Sequence, residues 1–278
     1  MNSNLIYDVG LHKGEDSEFY LKKGFRVVAI EALSELCEIA RRRLQQYVET
    51  GQLVILNVAI SNENGAIKFF ANRQNSVWGT TNETWAKRNE RMGTSSCEMT
   101  VKGTRFGEVL ARYGMPYYVK IDIEGSDLLC VSCLKDFQSR PKYLSLESAK
   151  TSWRSLRKEF ALLEELGYSR FKVVQQNDVV AQVAPNPARE GGYAEHQFEH
   201  GASGLFGEEL PGLWLSKKEA LKLYRKIFLG YRLYGDYGLL SRSYGEGGIL
   251  QRSSIGRRVL RYVGPQVGWY DTHAAREG

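Results

Sequence analysis

Three short apolar runs, residues 5–7, 25–30 and 53–60, are separated by two stretches of helical character within the first sixty residues. The run 25–30 (FRVVAI) has no polar alternation, which fits a strand buried on both faces. Residues 15–23 between the first two runs are acidic at the start and basic at the end, as a helix macrodipole prefers, and Gly24 follows as a stop. Ser34 is placed to cap a second helix running to about residue 50, with Leu36, Ile39, Ala40 and Leu44 on one face. Strand–helix–strand–helix–strand requires crossover connections. The expected architecture is therefore an α/β fold with a mainly parallel, doubly wound sheet and helices on both faces.

The pattern continues downstream. Residues 62–65 read as a turn and 66–71 as a hairpin strand. Residues 72–96 read as a long loop with a short helix near 84–91, and loops of that length are usually functional. A strand is expected at 97–101, a helix at 104–113, a strand at 117–123, a helix after Asp127, a strand at 142–147, a helix at 152–166 and a strand at 169–174. The texture then changes. Residues 185–212 are rich in Pro and Gly, and residues 215–234 form a basic amphipathic helix capped by Ser216. Residues 235–278 are rich in Gly and Tyr, with a short helix expected at 255–262. We read an α/β unit over residues 1–184 and an α-rich C-terminal extension over 185–278, a candidate lid.

At 278 residues, 42% hydrophobic and 25% charged, the chain can bury a full core without disulfides. The four cysteines, Cys37, Cys97, Cys130 and Cys133, are too sparse for a disulfide scaffold. Cys130 and Cys133 sit in the apolar helix LLCVSCL with no second pair for zinc, so packing is their expected role. No apolar run is long enough to span a membrane, and the N-terminus has no basic-then-apolar secretory pattern; a cytoplasmic location is expected. The net charge of +6 favours anionic partners but is too small to argue for nucleic acid.

Asp8-x-Gly10-x-x-x-Gly14 follows a strand and opens a helix, and Glu31 ends the next strand. Glycines there allow close backbone approach, and a carboxylate at that strand end can accept both hydroxyls of a ribose. The middle glycine of a dinucleotide fingerprint is missing, and so is the Gly-Lys-Ser/Thr of a P-loop. The pattern instead resembles motif I of class I S-adenosylmethionine (SAM) methyltransferases, with Asp8 in the neighbourhood of the cofactor's ammonium. The segment Lys120-Ile121-Asp122-Ile123-Glu124-Gly125 then puts three charges at the end of a buried strand, beside the expected cleft.

The run DVGLHKGEDSEFYLKKGFRVVAIEA, then Asn57-Val58-Ala59-Ile60-Ser61 with Gly65, then VKIDIEG, resembles the FkbM family of SAM-dependent methyltransferases over roughly residues 4–174. The resemblance implies a Rossmann-like fold and methylation of hydroxyl oxygens, often on sugars or natural-product scaffolds. It implies that Asp8, Gly10, His12 and Gly14 line SAM, with His12 contributing its backbone. It further implies that Glu31 holds the ribose, that Asn57 and Ala59 lie beside the adenine, and that Lys120, Asp122 and Glu124 face the transfer cleft. The chain departs from the usual family pattern at His12, Glu15 and Ala32, where Asn, a hydroxyl residue and Pro are common.

Methyl transfer to a hydroxyl benefits from alignment and from a general base. Asp122 and Glu124 are the first candidates, with Lys120 as an ion-pair partner and Glu147, at the end of the next strand, as a third. The three carboxylates could alternatively hold a divalent cation that orients a diol, although a metal is not the expectation. His196 and His200 are four apart, but nearby glycines argue against a helix that would pair them. His273, in WYDTH, reads most simply as a tail residue. The helix 215–234 reads as an apolar stripe with a solvated basic face, or as a lid whose aromatics stack on an acceptor sugar. With motif I starting at residue 8, the acceptor cover is expected from 72–96 and the C-terminal third. The leading expectation is an O-methyltransferase with a small-molecule acceptor. The alternatives are an RNA or protein methyltransferase and a non-catalytic SAM-fold binding protein.

Overall fold

The chain alternates strands and helices in the order β1 (Asn2–Val9), α1 (Glu15–Lys22), β2 (Arg26–Glu31), α2 (Ser34–Arg43), α3 (Gln45–Glu49), β3 (Leu53–Asn57), β4 (Ala59–Ile60) and β5 (Gly65–Asn72). Then come α4 (Glu83–Arg91), β6 (Ser96–Thr104), α5 (Phe106–Tyr113), β7 (Pro116–Ile121), α6 (Asp127–Cys133), β8 (Tyr143–Glu147), α7 (Trp153–Glu165), β9 (Tyr168–Gln175), α8 (Lys217–Tyr234) and β10 (Tyr270–Arg276). This computed structural model describes residues 2–148, 152–234 and 268–277. The helix expected at 255–262 lies outside the described residues.

The main sheet has the order β3-β2-β1-β7-β8-β10-β9. Every pairing is parallel except those of β10, which runs antiparallel between β8 and β9. The Rossmann-like expectation is met. Successive strand side chains point to opposite faces, and the sheet separates two cores accordingly. Leu5, Tyr7 and Val9 of β1, Val28 and Ile30 of β2, and Val119 and Ile121 of β7 face one side, with α5, α6, α7 and α8. Ile6, Val27, Ala29 and Tyr118 face the other, with α1, α2 and the 184–210 segment. Among the described residues, no helix is long and apolar enough to cross a membrane.

Three local expectations are corrected. Ser34 is the first residue of α2 and makes no capping bond; Leu33 occupies the cap position, and the helix breaks at Leu44 before α3. The strand at 66–71 is not one arm of a tight hairpin. It pairs with β6, more than twenty residues later, in a separate sheet of order β4-β6-β5. The intervening 72–96 contains α4 and a short turn of 3₁₀ helix at Ser76–Trp78.

The largest difference concerns the C-terminus. Residues 270–276 are not a tail but an interior strand of the main sheet, so that sheet draws on both sides of the expected boundary at residue 184. The sequence YDTHAAR hides this because its polar residues find partners only in distant parts of the chain. Thr272 meets the hydroxyls of Tyr224 and Ser148, and Ser148 donates to Glu159. Tyr224 therefore sits in the core with Ala220 and Ile227, against Phe160 and Phe171, and α8 uses its apolar stripe for packing.

His273 is 2% exposed, opposite Lys172 on β9 and Ser145 on β8. Burial first, and then Lys172, push its imidazole down to about 3. The ring is neutral in the fold, whereas the unfolded chain takes up the proton near the ordinary value of 6.5. Its contribution is therefore fully present above pH 6.5 and is lost as pH falls from there toward 3. We predict that His273→Asn flattens the acid limb. Between pH 6.5 and 4, its unfolding free energy in urea should fall less steeply than that of the wild type, by up to about 1.4 kcal/mol per pH unit. Equal slopes would show that the ring carries a proton in the fold.

Candidate functional site

The carboxyl ends of β1, β2, β7 and β8 meet at one edge of the sheet, where open α/β sheets place ligands. The chain leaves β1 through Gly10, at φ +95°. A Cβ on Gly10 would lie 1.9 Å from the carbonyl oxygen of Asp122, so only glycine lets β1 and β7 end this close together. The amides of Gly10 and Leu11 both donate to the carbonyl of Ile30 at 3.0 Å, which ties the turn to β2. Gly14, at φ +89°, lets α1 start against Leu44.

Beneath this turn lies a buried charge cluster. Register places Asp8 opposite Lys120 on the α1 face of the sheet. The Lys120 ammonium donates to the carbonyl of Gly10 at 2.7 Å and pairs with Asp8 at 3.1 Å and Asp16 at 3.6 Å. Burial acts to lower the Lys120 pKa, but Asp8, Asp16 and Asp122 outweigh it and hold the ammonium well above its ordinary value. Asp8 also accepts the Ser17 hydroxyl at 2.7 Å. Asp16 accepts the amides of Ser203 at 2.9 and 3.0 Å and Gly204 at 3.3 Å. Burial raises Asp16 to about 6 although Lys120 pulls it down. Asp8 is thus engaged by the scaffold, and neither it nor Gly14 is among the described residues that line the adjoining cleft.

Glu31 sits where the sequence places it, at the end of β2 facing a cleft. Its two oxygens accept the amides of His12 at 3.0 Å and Leu33 at 2.9 Å, which fixes the carboxylate's direction. Burial raises its pKa although those amides oppose the shift. His12, at φ +54°, gives Glu31 its backbone, while its ring bridges Glu15 at 3.0 Å and Ser76 at 2.8 Å. Burial acts to raise Glu15, but the His12 contacts and the local backbone outweigh it and bring the carboxyl down to about 2. The Asn57 amide donates to the carbonyls of Glu31 and Ala32, at 3.0 and 2.9 Å; it braces the end of β2 and does not line the cleft.

The cleft beside Glu31 has an apolar slot of Leu33, Val58, Ala59, Ile60 and Phe69, and a polar end with Gly10, Lys120 and Asp122. His200 and Gly201 reach it from the 185–212 segment. His196 does not join them: its ring packs against Phe19 and Phe198, and burial lowers its pKa. A second cavity adjoins the first at Ser126. It is walled by Thr84, Trp85 and Arg88 of α4, by Glu147 and Ser148, and by Ser152, Ser155 and Glu159 at the start of α7.

Between the two cavities, carboxylate oxygens of Asp122, Glu124 and Glu147 all lie within 4.8 Å of one another. This trio was expected from the sequence, and its spacing suits either a proton-accepting carboxylate or a hard cation. Glu124 is held at φ +48°, with its carbonyl accepting the Thr80 hydroxyl at 2.7 Å. The concentration of negative charge is felt nearby. Burial and Asp122 push Asp127 up to about 6, against the amides of Ile123 and Gly125. Burial and Asp122 likewise push Asp271 up to about 7, against the Gln176 amide. Sequence reasoning missed Asp16, Arg88 and the role of Asp271. Asp16 follows motif I, but its partners Lys120, Ser203 and Gly204 are far along the chain; Arg88 lies on a helix with no motif around it, and Asp271 reaches this edge only because β10 enters the sheet.

The profile of the Methyltransferase FkbM domain matches residues 8–170. No curated protein sequence matches the chain. The chain is similar in structure to the methyltransferase FkbM from Methylobacillus flagellatus KT, at 16% identity and a TM-score of 0.42, covering 62% of this chain and 40% of that one. It is similar to the precorrin-6y C5,15-methyltransferase from Geobacter metallireducens GS-15, at 14% identity and a TM-score of 0.35, covering 63% and 69%. It is also similar to the C-terminal domain of precorrin-6Y C5,15-methyltransferase from Rhodobacter capsulatus, at 13% identity and a TM-score of 0.37, covering 63% and 67%. The profile match runs from the buried Asp8 through Arg170 of β9, more than half of the chain, and the protein therefore belongs to the FkbM methyltransferase family.

Proposed function

We propose that the protein is a SAM-dependent methyltransferase that modifies a hydroxyl oxygen of a small molecule, of the sugar or natural-product class. The observation that carries this reading is the position of the Asp122–Glu124–Glu147 trio between a cleft suited to the cofactor and a separate cavity suited to the acceptor.

The first cleft fits the cofactor on its donor set. The Glu31 carboxylate is directed by two amides and keeps lone pairs for a ribose diol. The slot of Val58, Ala59, Ile60 and Phe69 offers apolar faces to a purine. Asp122 and the backbone of Gly10 and Leu11 close the end where the amino-acid tail would lie. When bound, SAM supplies a methyl group on a sulfonium for in-line displacement.

The chain's own work is then alignment and proton removal. Lys120 holds the Gly10 turn, so the floor of the cleft is rigid before any ligand enters. Residues of the 72–96 segment line both cavities. A carboxylate of the trio accepts the hydroxyl proton.

Calorimetric titration with S-adenosylhomocysteine, and separately with NAD, tests the cofactor assignment. Binding of the former alone is expected. Glu31→Ala should weaken it tenfold or more, and equal affinity in variant and wild type would remove the ribose role. Asp122→Ala should lower turnover by roughly 10²-fold or more at saturating cofactor, the scale of a lost general base, beyond whatever S-adenosylhomocysteine affinity it loses at the tail end of the cleft. EDTA should leave turnover unchanged; loss that Mg²⁺ restores would instead assign the trio to a cation.

A further inference from the structure

The wall of the second cavity holds a cation that the transfer chemistry does not use. The Arg88 guanidinium lies over the Trp85 ring, 4.4 Å from its centroid, and over the Trp269 ring, 5.2 Å from its centroid. Trp85 comes from the same helix, whereas Trp269 immediately precedes β10. Trp85 itself rests on Gly125, where a Cβ would lie 2.2 Å from the indole Nε1, so this wall has no slack. Cation–π contact with two rings holds the guanidinium in place.

Held in this way, Arg88 still has an unmet demand. Its Nη1 is buried without a hydrogen-bond partner. A buried donor in that state is destabilising, and for a charged group more so. Among the described residues, three carboxylates line the cavity, and none of them accepts from Arg88 Nη1: Glu147 stands in the acidic trio, and the other two are engaged elsewhere. Asp127 accepts the amides of Ile123 and Gly125, and Glu159 accepts the Ser148 hydroxyl. The partner that suits a fixed guanidinium fork is an oxyanion, which takes two parallel N–H donors. Thr84, Ser126, Ser152 and Ser155 line the same cavity and add hydroxyls for the remaining oxygens.

We propose that Arg88, clamped between Trp85 and Trp269, binds an oxyanion group carried by the methyl acceptor, a phosphate or a carboxylate set apart from the hydroxyl that is methylated. The acceptor is then an anionic hydroxyl compound rather than a neutral sugar. This inference rests on the acceptor reading of the second cavity.

The test uses the full chain and two probes at constant ionic strength maintained with NaCl. Inorganic phosphate is followed by ³¹P line broadening, and acetate by saturation-transfer NMR. Saturable binding of at least one probe is expected, and the probe that binds identifies the kind of oxyanion. Arg88→Gln should weaken that binding tenfold or more. Arg88→Met, which keeps a stem between the indoles and removes the charge, should do the same. Both variants should bind S-adenosylhomocysteine as the wild type does, which shows that they fold. Absence of saturable binding of either probe to the wild type, or binding that persists in both variants, overturns the proposal. Wild type that fails to bind S-adenosylhomocysteine removes the cofactor reading instead, and the anion site is then judged by the NMR titrations alone.

Discussion

The site depends on one buried ammonium. Lys120 reaches across from β7 to hold the Gly10 carbonyl, Asp8 and Asp16 together. A lysine taken out of water is strongly unfavourable unless its charge is matched, and here two carboxylates match it. The consequence is geometric. Gly10 is fixed against Asp122, Asp8 is fixed on β1, and Asp16 anchors the amides of Ser203 and Gly204 beside His200 and Gly201 of the cleft. Removal of the ammonium would leave two buried carboxylates facing each other, and breaking a buried pair in this way costs about 3–5 kcal/mol. The position of the cleft floor is therefore tied to folding itself.

This cluster explains what the sequence could and could not disclose. Gly10, Glu31 and Asp122 were legible because strand ends and turns constrain residue type strongly, and their spacing reports the parallel sheet. The ion pair between Asp8 and Lys120 was hidden because it depends on register between strands more than a hundred residues apart. The motif alone points Asp8 toward the cofactor for the same reason: a motif gives neighbours along the chain, not across it. Asn57 shows the smaller version of this limit, since its amide turns back to the carbonyls that end β2.

The C-terminal strand was illegible for a different reason. A buried strand normally declares itself by apolar residues, yet β10 carries Asp271, Thr272 and His273, all buried. Their polarity is absorbed by Gln176, by the Ser148 and Tyr224 hydroxyls, and by a neutral imidazole. Such a strand can only be recognised once its partners are known. Its insertion between β8 and β9 brings Asp271 opposite Glu147 at the edge where the acidic trio stands.

The two cavities draw on the same matched part of the chain. The cleft beside Glu31 is built almost wholly from residues within the family match at 8–170, with His200 and Gly201 added from outside it. The lining of the second cavity, from Thr84 to Glu159, also lies within that match, while Trp269, stacked on Arg88, and Asp271, opposite Glu147, come from beyond it. Sharing the matched region therefore brings with it the cleft, the trio and the lining of the second cavity, but not the ring that braces Arg88 on that cavity's surface. A substitution in α4 or just before β10 can alter that surface while Lys120, Gly10 and Glu31 stay in place, because the clamp of Arg88 between its two indoles shares no hydrogen bond with the ion cluster under the cleft.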